Sequence, residues 1–184
     1  MKPKNVCHYL IIAVLILGFG WSHSSFAASK EEIEVKVNAA LKRFHEEVSV
    51  GKELADKANA ILVFPSVIKA GIGVGGEYGE GALRIGGKTV DYYSTAAASI
   101  GFQLGAQKKS VILLFMTKKS ITDFRKSEGW EVGVDGSVAL IDLGVGGSVD
   151  TTNLKDPIIG FIFGQKGLMY NLTLEGSKMT KIKK

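Results

Sequence analysis

Cysteine is nearly missing from this 184-residue chain, and the single one, Cys7, lies close to the amino terminus ahead of an apolar run. Everything beyond that run therefore lacks disulfides, thiol nucleophiles and cysteine-built metal sites. Histidine is almost as scarce: of three, only His45 follows residue 27, beside Glu46 and Glu47. No GxSxG elbow offers it a serine partner, so nucleophilic catalysis is short of residues. Strong charge of one sign is absent too, which removes the main argument for nucleic acid. An apolar run long enough to span a bilayer is also lacking. Leu10 to Trp21 follows Lys2 and Lys4, precedes Ser25-Phe26-Ala27, and is shorter than the roughly 18 to 20 residues a spanning helix needs. It reads as a secretory signal cleaved after Ala27. The expected organisation is residues 1–27 as leader and 28–184 as one exported domain, periplasmic or secreted and peripheral to a membrane. Without Lys2 and Lys4 the chain has 21 basic and 18 acidic residues, lowering the formal charge from +5 to +3.

Glycine, by contrast, is abundant. Twenty glycines lie between Gly71 and Gly176, densest in GIGVGGEYGEGALRIGG from Gly71 to Gly87. Glycine weakens a strand, so a strand rich in it marks a bend, a bulge or a close approach by backbone or ligand. Gly71, Gly73 and Gly76 meet the letters of the dinucleotide fingerprint, with Asp91 twenty residues after the first. The chemistry requires a helix to open at the last glycine, and Glu77 to Gly87 has no helical period, so a glycine-rich strand is expected instead.

Ile33, Val37, Leu41, Phe44, Val48, Ala55, Ala58 and Leu62 recur three or four residues apart over most of their span, predicting amphipathic helix over 29–59, capped by Ser29 with Glu32 and divided at Gly51. After Asn59 the period becomes that of strands. Ala60 to Phe64 is a short apolar run ended by Pro65. From Ala96 to Gln107, Ala98, Ile100, Phe102, Leu104 and Ala106 share one face, and Ser99, Gly101, Gln103, Gly105 and Gln107 the other. Lys108 to Ser110 is expected to turn the chain into a central strand over Val111–Met116. A short helix follows, starting at Ser120 and running to about Lys126. Strands then begin at Trp130, and a hairpin over Ile158–Leu174 turns at Gly164–Gly167. This order predicts an α+β fold, with N-terminal amphipathic helices packed on a strongly curved, glycine-rich, mainly antiparallel sheet curling toward a half-barrel.

Other chemistry has weak support. Glu77 and Glu80, three apart in a strand, point to opposite faces and make a poor acid/base pair. Asp135, Asp142, Asp150 and Asp156 lack calcium-loop spacing. Asn171-Leu172-Thr173 fits a glycosylation acceptor but alternates within a predicted strand. An outer-membrane barrel is opposed by the long helical start and by the ending Lys181-Ile182-Lys183-Lys184.

Three segments carry a family resemblance: ANAILVFPSVIKAGIGVGGEYGEGAL from Ala58, YYSTAAASIGFQLGAQKKSVILLFM from Tyr92, and GWEVGVDGSVAL from Gly129. Together they resemble the SYLF domain, also called the yeast actin-binding type, over most of the chain after residue 27. The resemblance implies lipid binding without catalysis or cofactor. Eukaryotic members associate with phosphoinositide-rich membranes and some bundle actin, whereas exported bacterial members are lipid-binding. Actin is not carried over to an exported chain, and the family signatures define no ligand shell to transfer residue by residue.

The expected function is accordingly phospholipid binding at the cell envelope. Phe64, Tyr78, Ile100, Phe102, Leu104 and Phe115 are candidates for an acyl-chain groove, and Lys69, Arg84, Lys88, Lys108 and Lys109 for anionic head groups. Gly71, Gly73, Gly75 and Gly76 would let an acyl chain approach backbone. Alternatives are contact through the outer surface of the N-terminal helix and an envelope protein-interaction module that receives a partner strand.

Overall fold

The computed structural model describes residues 28–143, 155–167, 174 and 176–184, with backbone alone for 99–104. Helix α1 (Lys30–Glu47) starts where the sequence predicts. The Ser29 hydroxyl accepts from the Glu32 amide at 3.1 Å, while the Glu32 carboxylate turns forward to Lys36 instead of closing the box. Ile33, Val37, Ala40 and Phe44 form its buried stripe. Helix α2 (Gly51–Lys57) follows after the expected break.

Strands β1 (Ala60–Ile85) and β2 (Lys88–Phe115) form one antiparallel hairpin closed by Gly86 and Gly87, at φ 56° and 77°. Both turn residues lie in the left-handed region that a two-residue hairpin loop demands. Strands of 26 and 28 residues are far longer than the usual ~5–6 and must bend. β1 folds back on itself. A methyl group at Gly71 would overlap the Gly75 Cα, one at Gly79 would stand 2.9 Å from the Ser66 carbonyl oxygen, and one at Gly81 would overlap the Val63 carbonyl oxygen. Bulges between Phe64 and Val67 and between Ile72 and Val74 accompany the fold-back.

Pro65 sits in the first bulge and does not end the strand, because a bulge removes the ladder bond that proline cannot donate. The turn expected at Lys108–Ser110 is also absent. β2 runs through it, with Lys109 turned inward and the Ser110 hydroxyl donating to the Pro65 carbonyl at 3.0 Å. Helix α3 (Lys118–Lys126) begins earlier than expected. Its cap is Thr117, whose hydroxyl accepts from the Ser120 amide at 3.1 Å.

The remaining strands are β3 (Trp130–Glu131), β4 (Ala139–Asp142), β5 (Ile158–Gly167) and β6 (Lys178–Ile182). Among the described residues the sheet has six strands in the order β3-β6-β2-β5-β4, with β1 on the other side of β2. β5 continues through the turn expected at Gly164–Gly167 and pairs antiparallel with β2 and parallel with β4. The return strand expected at Leu168–Leu174 lies almost wholly outside the described residues. The result is the predicted α+β architecture, a curled half-barrel of mostly antiparallel strands.

Two cores follow from strand alternation. Inside the curl, Leu62, Phe64, Leu83, Leu113 and Phe115 surround Phe124, whose ring lies 4.9 Å from those of Tyr93 and Phe115 and 5.5 Å from that of Trp130. Outside it, Val63, Ala82, Ile112, Leu114 and Phe161 pack beneath α1 and α2, with Phe44 edge-on to Phe161 at 4.9 Å.

Candidate functional site

At the bent end of the hairpin the alternation continues but its chemistry reverses. The bulge after Phe64 shifts the phase of β1 by one residue, so odd positions from Val67 onward face inward. The inward residues here are polar: Lys69, Glu77, Thr95, Gln107 and Lys109 are all buried. The outward ones are apolar: Ile68 is 53% exposed, Ile72 80%, Val74 66% and Tyr78 53%. Ala70, Ala96, Ala98 and Ala106 are exposed between them.

Cover explains the exposure. The Ala28 amide donates to Glu80 Oε2 at 3.1 Å, which fixes the start of α1 level with Glu80. Among the described residues, no helix covers the outward face from Ile68 to Tyr78. Lys108 pairs in register with both Ile68 and Lys166, and both lysines are exposed, so two cations border this apolar surface.

Beneath it, Lys109 Nζ donates to Glu77 Oε2 at 2.9 Å, with the two side chains only 1% and 5% exposed. Such a pair contributes little net stability but fixes which groups face inward, because either charge left alone would be costly. The Glu77–Glu80 expectation of opposite faces holds: Glu80 instead accepts from Lys184 Nζ at 2.8 Å.

The predicted residues do not gather into one site. Lys69 and Lys109 are buried and Lys108 is exposed, while Lys88 is exposed at the far hairpin turn. Arg84 is half-buried, its guanidinium donating to Glu34 Oε2 at 2.9 Å. Burial alone would raise the pKa of Glu34, but hydrogen bonds from Tyr92 and Arg84 outweigh it and hold the carboxyl below its ordinary value. Phe64 and Phe115 belong to the inner core. Tyr78 lies on the open apolar face with its hydroxyl donating to Glu80 Oε1 at 2.9 Å; burial, then that carboxylate, pushes it up to about 12. The side chains of Ile100, Phe102 and Leu104 lie outside the described residues, although Ile100 pairs in register with Val74 and Leu104 with Ile72. Gly71 and Gly75 touch at the fold-back, Gly73 adopts φ 70°, and Gly76 faces open space.

Sequence reasoning missed the inward polar layer, since a buried lysine–glutamate pair across a fold-back leaves no local signal. It also missed a basic pocket formed by Lys118, Arg125 and Lys126 of α3 with Lys181 of β6. Among the described residues no cluster of side chains could hold a metal ion, and no helix is long and apolar enough to cross a membrane, which says nothing about strands.

No curated protein matches the chain. The family profile described as "Ysc84: Las17-binding protein actin regulator" matches residues 96–184, from the exposed alanines of β2 through β6. Over these residues, a little under half of its length, the chain is similar to the Ysc84, or SYLF, family.

Proposed function

We propose that this protein binds phospholipid membranes without catalysis, as an exported protein of the cell envelope. The outward face of the bent hairpin enters the acyl region, and Lys108 and Lys166 meet anionic head groups. The carrying observation is the reversed alternation, with Ile68, Ile72, Val74 and Tyr78 outside and Lys69, Glu77, Gln107 and Lys109 inside. Water-soluble sheets put their apolar side chains inward, whereas apolar-out and polar-in is the arrangement of a sheet that faces lipid. Large exposed side chains clustered on one uncovered surface also mark interaction sites more often than scattered ones do. Contact through an outer face replaces an enclosed groove here, since the inward layer at this end is polar. The short rim of two lysines adds about 1 kcal/mol each near an anionic surface.

Vesicle flotation tests the reading. Ile72 and Val74 together carry about 3 kcal/mol of transferable apolar surface, so Ile72→Ser with Val74→Ser should lower partitioning about 100-fold. Lys108→Glu with Lys166→Glu should remove only the part that depends on phosphatidylglycerol and falls with salt. Wild-type protein that stays at the bottom of the gradient with both phosphatidylcholine and phosphatidylglycerol vesicles would overturn the proposal. That outcome would favour a protein partner, the kind of ligand named in the family's description.

A further inference from the structure

The end of the molecule opposite the apolar face carries a second, chemically different surface. Because β1 folds back near Gly71–Gly75, the hairpin turn at Ile85 returns to the start of β1, and both border one open cavity of about 520 Å³ with Asn59, Lys118, Ile121, Thr122, Arg125, Lys126 and Lys181. Eleven residues of strand separate Ala60 from Gly71, roughly 35 Å at about 3.3 Å per residue. The cavity therefore stands well away from the surface assigned to lipid.

Its electrostatics are one-sided. Lys118, Thr122 and Arg125 recur at helical spacing on α3, and Lys181 approaches from β6. Asp91, nearly buried, accepts from Arg125 Nε at 3.2 Å, lies 3.0 Å from its Nη2 and also pairs with Lys181. One carboxylate thus positions two cations at once. Among the described residues no carboxylate pairs with Lys118 or Lys126, so four cations converge where a single acid answers them. Ile85 and Ile121 supply apolar lining, and Thr122 and Asn59 supply polar groups. A pre-positioned guanidinium beside several ammonium groups suits the oxygens of a phosphate dianion, and the volume falls within the range of small-molecule sites.

We infer that this cavity binds a phosphate monoester, the phosphate held by Lys118, Arg125, Lys126 and Lys181 and its carbon portion resting on Ile85 and Ile121. A free phosphorylated metabolite and a phosphorylated lipid head group share this chemistry. The inference goes beyond the membrane reading and does not rest on it, because its first test contains no lipid.

Titration of the full chain with inorganic pyrophosphate, followed by backbone amide NMR, should show saturable shifts at residues 118–126 and 181. Lys118→Glu with Lys126→Glu replaces two exposed, unpaired side chains and should weaken binding by at least about tenfold with the fold intact. Ile72→Ser with Val74→Ser should leave it unchanged. In a second arm, vesicles bearing a phosphomonoester lipid are offered to the same proteins. Flotation that is lost in Lys118→Glu/Lys126→Glu identifies a head group as the source, whereas pyrophosphate binding without such flotation identifies a free ligand. Absence of saturable shifts together with flotation indifferent to Lys118 and Lys126 overturns the assignment. So does pyrophosphate binding that the double variant retains in full.

Discussion

The fold-back of β1 makes a sharp prediction at Gly81. A methyl group there would overlap the Val63 carbonyl oxygen and lie 2.8 Å from Phe64 Cδ1, and both residues are fully buried. The carbonyl belongs to backbone already committed to the ladder with Ile112, so no side-chain rotation relieves the clash. The two halves of β1 must part by about 1 Å or more to reach ordinary contact, loosening Phe64 and Leu83. Over-packing of this kind costs about 1–3 kcal/mol where side chains can adjust and more where they cannot, so Gly81→Ala should cost about 3 kcal/mol or more. With a urea dependence near 2 kcal/mol per molar for a domain of this size, the midpoint should fall by about 1.5 M. Trp130, buried against Phe124, reports the transition by fluorescence. Gly76→Ala is the matched control, since its methyl group would meet nothing nearer than the Ala97 carbonyl oxygen at 4.0 Å. It should be neutral or stabilise by about 0.4–1 kcal/mol through the unfolded chain. Equal midpoints for the two variants would refute the fold-back, and with it the reason the apolar face lies outside.

Lys109→Met should destabilise by about 3–5 kcal/mol in urea, because it strands the Glu77 carboxylate in the interior, and adding Glu77→Leu should recover most of the loss. A double variant no more stable than Lys109→Met would show that the pair is not the issue. Glu34, its carboxyl held below the ordinary 4.5, stabilises the fold fully above that value and loses its contribution as pH falls through the lower, folded value. The stability gap between wild type and Glu34→Gln should therefore be constant at neutral pH and shrink on acidification below about pH 4.5; a gap that widens there would contradict the assignment.

Most of the framework was legible because it rests on local signals. The stripe of Ile33, Val37 and Phe44 read as helix, Gly51 as a break, and the change of period after Asn59 as the start of strands. What failed was each inference that treated a local breaker as an end. Pro65 and the polar Lys108–Ser110 looked like boundaries, yet both lie inside long strands: a bulge absorbs the proline, and a glutamate 32 residues away neutralises Lys109. The greasy face of β2 was visible, and its orientation was not. Whether Ala98 and Ala106 point inward depends on the one-residue bulge near Pro65 and on a fold-back that no periodicity reports. The same holds for the basic pocket, where Lys118, Arg125 and Lys181 become neighbours only after β6 has docked beside β2.

The pairing of β2 also governs the order of assembly. One of its edges is satisfied at once by the adjoining hairpin arm, whereas the other waits for β5 and β6, which follow dozens of residues later. Contacts that distant are slow to form, so a nascent chain holds a long, glycine-rich ribbon with an unclaimed margin open to wrong partners. Until those strands arrive, β2 itself is the segment most open to mispairing, and its late partners are what close the sheet.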